Sequence, residues 1–251
     1  MGLDKLLVIG ASRGIGRFFI EDNLKIAKDI LGIGTSAINL SGIGDHKVRY
    51  EQVDIADYER AAHVVSEWLS DSKFERIGIL NAAAILGAPG GIFSTEITNL
   101  SKVLSVNLIG HANVIKCLEP YLRNGVKANI LMLAGGGAAY GYPDFFAYAV
   151  SKAALVRMVE NIHLESKKNN FDLNIVALAP GAVETDMLQK IVDAGGYVKT
   201  KTKIEEPSLF IKRFLTNELE AYNLSGRFIH VRDELDKVTS VDDIFMLRRV
   251  E

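Results

Sequence analysis

Lys5-Leu6-Leu7-Val8-Ile9-Gly10-Ala11-Ser12-Arg13-Gly14-Ile15-Gly16 begins as an apolar run and breaks into a glycine-rich turn that opens a helical pattern. Strand, glycine turn and helix in that order form the context a dinucleotide fingerprint requires. Glycines let the backbone turn tightly and approach a pyrophosphate, whose charge faces the N-terminus of the helix. Any tight strand-to-helix turn can also use glycine, so the turn gains its weight from motifs further along the chain.

Further apolar runs predict strands at Ser36–Leu40, Val48–Val53, Ile77–Leu80, Asn129–Leu133, Asn174–Ala179 and Arg227–Val231. Between them, apolar residues at three- and four-residue spacing predict helices over Ile15–Ile30, Tyr58–Ser70, Ser101–Leu122, Phe146–Lys167 and Pro207–Tyr222. Short buried strands alternating with long helices call for a mostly parallel sheet of about seven strands, covered on both faces. Right-handed crossovers make the α/β architecture doubly wound. No linker or repeat divides the chain, so residues 1–251 read as one domain. The least regular stretch is Gln189–Lys203.

At 251 residues and 48% hydrophobic content the chain can bury a sizeable core. Its 29 basic and 31 acidic residues are interspersed, which excludes an electrostatic footprint for nucleic acid. Small molecules or copies of itself are the expected partners. The single Cys117 excludes an internal disulfide and reads as a buried filler rather than a nucleophile. No apolar run approaches the roughly 18 residues of a membrane span. The five histidines show no metal-ligand spacing, so no metal is expected; His111 reads as a packing or interface residue. The N-terminus enters an apolar strand within four residues, leaving no room for a secretory leader, so a cytoplasmic location is expected.

The remaining motifs fall at strand ends. Asp54-Ile55 follows the third strand, placed either to accept from an adenine amino group or to cap the next helix. Asn81-Ala82-Ala83-Ala84 ends the fourth; its small residues suit a flat ligand or close helix packing equally. Asn107 interrupts an apolar helical pattern and needs partners if buried. Tyr148 and Lys152 stand one helical turn apart, on one face. A lysine cation there favours the tyrosinate and lowers the phenol pKa from about 10. Such a phenol can exchange a proton with a carbonyl or alcohol oxygen while a hydride moves at carbon. Pro180-Gly181-Ala182-Val183-Glu184-Thr185 ends the sixth strand. In an open parallel sheet those ends share the edge where ligands bind.

Taken together, residues 5–231 resemble the short-chain dehydrogenase/reductase family. The resemblance implies a single Rossmann-like domain that interconverts a carbonyl and an alcohol with NAD(P). It implies a pyrophosphate loop at Gly10, Ser12, Arg13, Gly14, Ile15 and Gly16, an adenine contact at Asp54 and Ile55, and a strand-end segment at Asn81, Ala82 and Ala83. Tyr148 would be the acid/base, Lys152 its activator, and Asn107 the holder of a relay water. Pro180, Gly181, Val183 and Thr185 would face the nicotinamide. The resemblance further implies a homodimer or homotetramer through the Asn107 and Tyr148 helices.

One member of the family's catalytic set is missing. Its serine, thirteen residues before the tyrosine, would fall at Gly135, and no Ser or Thr occurs between Gly125 and Ala147. Ala134-Gly135-Gly136-Gly137-Ala138 resembles a branch with a Ser-Gly-Gly-Gly-Ala run whose serine is lost. Tyr140 and Tyr142, on the loop beyond it, read either as pocket wall or as replacement donors. NADP is favoured over NAD, because the region read as the end of the second strand, Asn39-Leu40-Ser41-Gly42, has no acid, while Arg13 and Ser41 can meet a 2′-phosphate. Residues 187–203, beginning at Met187, read as a substrate lid. Their lysines Lys190, Lys199, Lys201 and Lys203 form either a solvated face or an attraction for anions. Residues 235–251 read as a C-terminal packing or oligomer segment. The rival to an enzyme is a dinucleotide-binding protein with little turnover, serving in sensing or assembly.

Overall fold

A computed structural model describes residues 2–38, 47–196 and 200–239. Seven parallel strands form one sheet: β1 (Leu3–Ile9), β2 (Ala27–Gly34), β3 (Lys47–Gln52), β4 (Arg76–Asn81), β5 (Lys127–Leu133) and β6 (Leu173–Ala179), with β9 (Phe228–His230) at the far edge. Between β6 and β9, the two-residue strands β7 (Ala182–Val183) and β8 (Lys201–Thr202) pair with each other. The sheet order β3-β2-β1-β4-β5-β6-β9 places the reversal of winding between β1 and β4. The protein is thus a single Rossmann-like α/β domain.

Period-two alternation decides which helices pack where. Leu7 and Ile9 of β1, with Ile77, Ile79, Ile130 and Ile175, face a layer made by α2 (Tyr58–Ser70), the helices around residue 110 and α6 (Phe146–Asn169). Leu6 and Val8, with Leu80, Leu131, Val176 and Ile229, face α1 (Gly14–Asp22) and α8 (Glu205–Leu215). Each fully buried Leu or Ile contributes about 1.5–3 kcal/mol, so the two faces together dominate the stabilisation.

The expected Ile15–Ile30 helix is not what forms, and of the expected Ser36–Leu40 strand residues 36–38 form no strand, while residues 39 and 40 lie outside the described ones. Helix α1 stops at Asp22, where the buried Asn23 side chain donates to the Phe19 carbonyl (3.1 Å), and β2 occupies residues 27–34. Ile26, Ile30 and Ile33 satisfy helical spacing as well as a buried strand, and only tertiary contact separates the two. At Gly32 a Cβ would stand 2.8 Å from the Ala11 Cβ, so β2 runs tight beneath the glycine turn.

The expected Ser101–Leu122 helix is also divided. It becomes α3 (Ile97–Leu104), a π-helical turn at Ser105–Ile109, α4 (Gly110–Lys116) and α5 (Glu119–Arg123). Pro120 sits in the first turn of α5, where its missing N–H costs nothing. The stretch read as irregular, Gln189–Lys203, begins inside α7 (Asp186–Asp193), and Leu235 of α9 (Leu235–Thr239) packs on the α8 core; residues 240–251 lie outside the described ones. Among the described residues no helix is long and apolar enough to cross a membrane, and no cluster of His, Cys, Asp and Glu suits a metal.

Candidate active site

The loops leaving β1, β4, β5 and β6 meet at one sheet edge and enclose two adjoining cavities. The first, about 530 Å³, is lined by Gly10, Ser12, Arg13, Gly14 and Ile15, by Asp54 and Ile55, by Ala82 and Ala83, and by Tyr148, Lys152, Pro180 and Thr185. Gly10 is required here: its φ is +89°, and a Cβ would come within 2.5 Å of the Ala83 backbone nitrogen. Gly16 lies inside the turn, where a Cβ would meet the Gly10 carbonyl at 2.4 Å.

Several expected positions land elsewhere. Ser41 lies outside the described residues, and β2 ends at Gly34, so Thr35, not residues 39–42, follows the second strand and lines the cleft. Ser12 lies against that strand end: a Cβ on Gly34 would stand 2.9 Å from its Oγ. Asp54 does not cap α2; it accepts from the Ala56 N–H (2.9 Å), and Asp57 is the cap, accepting from Arg60 N–H. Gly181 and Val183 line the second cavity instead of the first.

Asn81 is buried and faces inward. Its Nδ2 lies 2.7 Å from Met132 Sδ, and its Oδ1 lies 3.0 Å from His111 Nδ1. His111 Nε2 lies 2.9 Å from the Ala83 carbonyl oxygen, so this fully buried ring ties α4 to the end of β4 and is not exposed for an interface. Burial, and secondly the Lys152 charge, pull its pKa down to about 4. Asn107 is likewise buried: Oδ1 accepts from Ile85 N–H (2.8 Å), while Nδ2 donates to Ile85 O and Ser151 Oγ (2.9 Å each). Both of its amide protons therefore hold the scaffold, and its side chain has none left for a water.

Tyr148 and Lys152 project from the first turns of α6 into the junction of the cavities, but not as an ion-activated pair. Lys152 Nζ donates to the Leu133 carbonyl (2.7 Å) and lies 5.6 Å from the Tyr148 ring centroid. Burial pulls Lys152 down to about 7, whereas burial first and Tyr142 second push Tyr148 up to about 12. The expected lowering of the phenol is corrected: a low-dielectric site disfavours both charges. Tyr148 is a protonated donor at neutral pH.

The second cavity, about 580 Å³, is lined by Gly135, Tyr140, Tyr142, Tyr148, Met187 and Ile191, among others. A Cβ at Gly135 would stand 3.0 Å from the Tyr148 hydroxyl. Position 135 thus lies beside the Tyr148 hydroxyl, and its glycine places no side chain there. The lysines of the segment expected to form a lid divide: Lys190 lines the first cavity, Lys201 pairs with Glu184, and Lys199 lies outside the described residues. Sequence reading missed Thr35 through the misplaced strand. It also missed His230 and Arg232 on the second cavity wall, since nothing local marks the turn after β9 as a neighbour of β5.

The short chain dehydrogenase family model matches residues 4–195. The 3-oxoacyl-(acyl-carrier-protein) reductase FabG of Thermotoga maritima is 29% identical over 194 residues, 74% of this chain and 76% of that protein. Levodione reductase superposes with a TM-score of 0.79 at 19% identity, over 92% of this chain and 96% of that one. A short chain dehydrogenase of Escherichia coli CFT073, solved with NADPH, gives 0.79 at 17% identity over 93% and 98%. With the glycine turn, the strand order and the tyrosine helix in their places, the chain belongs to the short-chain dehydrogenase/reductase family.

Proposed function

We propose that this chain is an NADP-dependent oxidoreductase that reduces a small carbonyl compound to an alcohol, with Tyr148 as general acid. The observation that carries this reading is the protonated Tyr148 phenol at the junction of the two cavities, with Lys152 one turn away. The glycine turn, where neither Gly10 nor Gly16 has room for a Cβ, suits a dinucleotide pyrophosphate at the start of α1. Ser12 and Thr35 lie at the end of β2, with no carboxylate on the strand end there, and Arg13 lines the same cavity, which favours a 2′-phosphate over free ribose hydroxyls. The exposed Arg13 guanidinium sits 3.8 Å from Asp186 at the start of α7, a surface pair that a 2′-phosphate would have to displace.

The nicotinamide supplies the hydride. Tyr148 holds its proton until charge develops on the substrate oxygen and then donates it. Lys152, poised near neutrality, gains charge as the phenolate forms beside it and limits the cost of that anion. Asn107 and Ser151 lock α6 to the β4 loop, so that the tyrosine keeps its place. A homodimer or homotetramer through the helices that carry Asn107 and Tyr148 is part of this reading, supported by exposed Ile109 in the π-helical turn and exposed Val150 and Leu164 on α6.

Titration with NADPH and NADH, then NADPH oxidation across a carbonyl panel by wild type and Tyr148→Phe, tests it. Tyr148-dependent turnover and tenfold or greater preference for NADPH, lost in Arg13→Ala, are expected. Equal affinity for NADH removes the cofactor assignment. Nucleotide binding without Tyr148-dependent oxidation favours a silent dinucleotide-binding protein instead.

A further inference from the structure

We propose that Tyr142 donates the second hydrogen bond to the substrate oxygen, in place of the side-chain hydroxyl that position 135 lacks. The proposal rests on the oxidoreductase reading and extends it to a residue outside the Tyr148 helix.

A carbonyl becoming an alkoxide needs donors aimed at the oxygen; one donor fewer costs about 10²–10³ in turnover. Here Tyr148 Oη is one such donor, and the space a Cβ at Gly135 would fill, 3.0 Å from that hydroxyl, holds no side chain. Tyr142 lines the same cavity as Gly135 and Tyr148. Its ring packs on Phe145 with centroids 4.9 Å apart, and on the cluster that contains Tyr148, Leu86, Met187 and Ile191. Its hydroxyl points under the lid, 3.2 Å from where a Cβ on Gly196 would stand.

Two further observations select Tyr142 over its neighbour. Tyr140 is 56% exposed, whereas Tyr142 is half-buried and packs on the cluster that contains Tyr148. Among the described residues, neither the Tyr142 nor the Tyr148 hydroxyl hydrogen-bonds another protein group, so both donors remain available in one apolar space. Burial, with Asp144 second, pushes the Tyr142 phenol up, so it stays protonated. In the step itself Tyr148 gives its proton to the substrate oxygen as hydride reaches carbon; Tyr142 keeps its proton and stabilises the developing charge through the hydrogen bond.

The test is a double-mutant cycle between Tyr142→Phe and Gly135→Ser on a carbonyl that wild type reduces. Gly135 has φ 169°, an extended conformation open to any residue, so serine fits the backbone once the Tyr148 hydroxyl, 3.0 Å from the new Cβ, moves by a few tenths of an ångström. Tyr142→Phe keeps the packing and is expected to lower kcat by about 10²–10³ with KM nearly unchanged. In the Gly135→Ser background the same change is expected to cost less than about tenfold, because the serine hydroxyl now serves the oxygen. Equal losses in both backgrounds, or a KM effect alone, overturn the proposal and leave Tyr142 a wall residue. Tyr148-dependent turnover that Tyr142→Phe leaves intact overturns it while the oxidoreductase reading stands. No Tyr148-dependent turnover at all removes both.

Discussion

His111 makes the stability of this protein depend on pH between about 4 and 6.5. In the folded state its ring is fully buried, between Asn81 and the Ala83 carbonyl, with Lys152 near, and its pKa falls to about 4 from 6.5. The folded ring therefore holds a proton less tightly than the unfolded one. Across this window the unfolded ring binds more protons, so the His111 contribution to stability rises with pH and levels off above about 6.5. With each tenfold in proton affinity equal to about 1.4 kcal/mol, the full effect is about 3 kcal/mol, of which about 2 kcal/mol develops between pH 7 and pH 5. Urea unfolding of wild type and His111→Gln at pH 7, 6 and 5 isolates it. The pKa of His163 is also lowered, but that residue is common to both proteins and cancels. The wild type should lose about 2 kcal/mol more than the variant on going from pH 7 to pH 5. Parallel losses would show that the buried ring is not the group that titrates.

Two other substitutions probe opposite ends of the sheet. Gly10→Ala forces a left-handed residue and sets a Cβ 2.5 Å from the Ala83 backbone. A cost of about 2–4 kcal/mol and at least tenfold weaker NADPH binding are expected, and an unchanged melting temperature and affinity would refute the close approach. Lys5 is buried with Nζ 2.8 Å from Asp71, 3.4 Å from Asp29 and 2.7 Å from the Trp68 carbonyl. Lys5→Met should cost about 1–3 kcal/mol in urea unfolding with NADPH affinity unchanged, because the Trp68 carbonyl loses its donor while Asp29 and Asp71 keep Lys47 and Arg49; a cost below about 0.5 kcal/mol would refute it.

The parts of the fold legible in the chain are those where local pattern and tertiary role agree. Tyr58–Ser70 forms the helix its spacing predicts, Asp57 caps it, and β1, β3, β4, β5 and β6 form within a few residues of their apolar runs. The glycine turn was legible because one chemistry, close backbone approach beside a helix start, requires that spacing. The second strand was not, because Ile26, Ile30 and Ile33 fit two periods at once and the choice is made by Ala11 lying across Gly32. The π-turn that carries Asn107 was equally hidden: Gly110 lets the helix approach the β3–α2 loop, where a Cβ would meet the Ile55 carbonyl at 2.6 Å.

Within the candidate site, residue types and order determined the family, the strand-end edge and the pairing of Tyr148 with Lys152 on one helix face. They also marked the missing hydroxyl at Gly135. Only the tertiary structure decided the electrical state of that pair, because burial depends on every element packed around it: it holds the phenol protonated and draws the lysine towards neutrality. It also decided that Asn81 and His111 tie the scaffold together, and that Tyr142, His230 and Arg232 from separate loops share one cavity with Tyr148. A chain encodes chemistry locally, but proximity between distant loops and the loss of water around a charge exist only once the sheet and its helices are assembled.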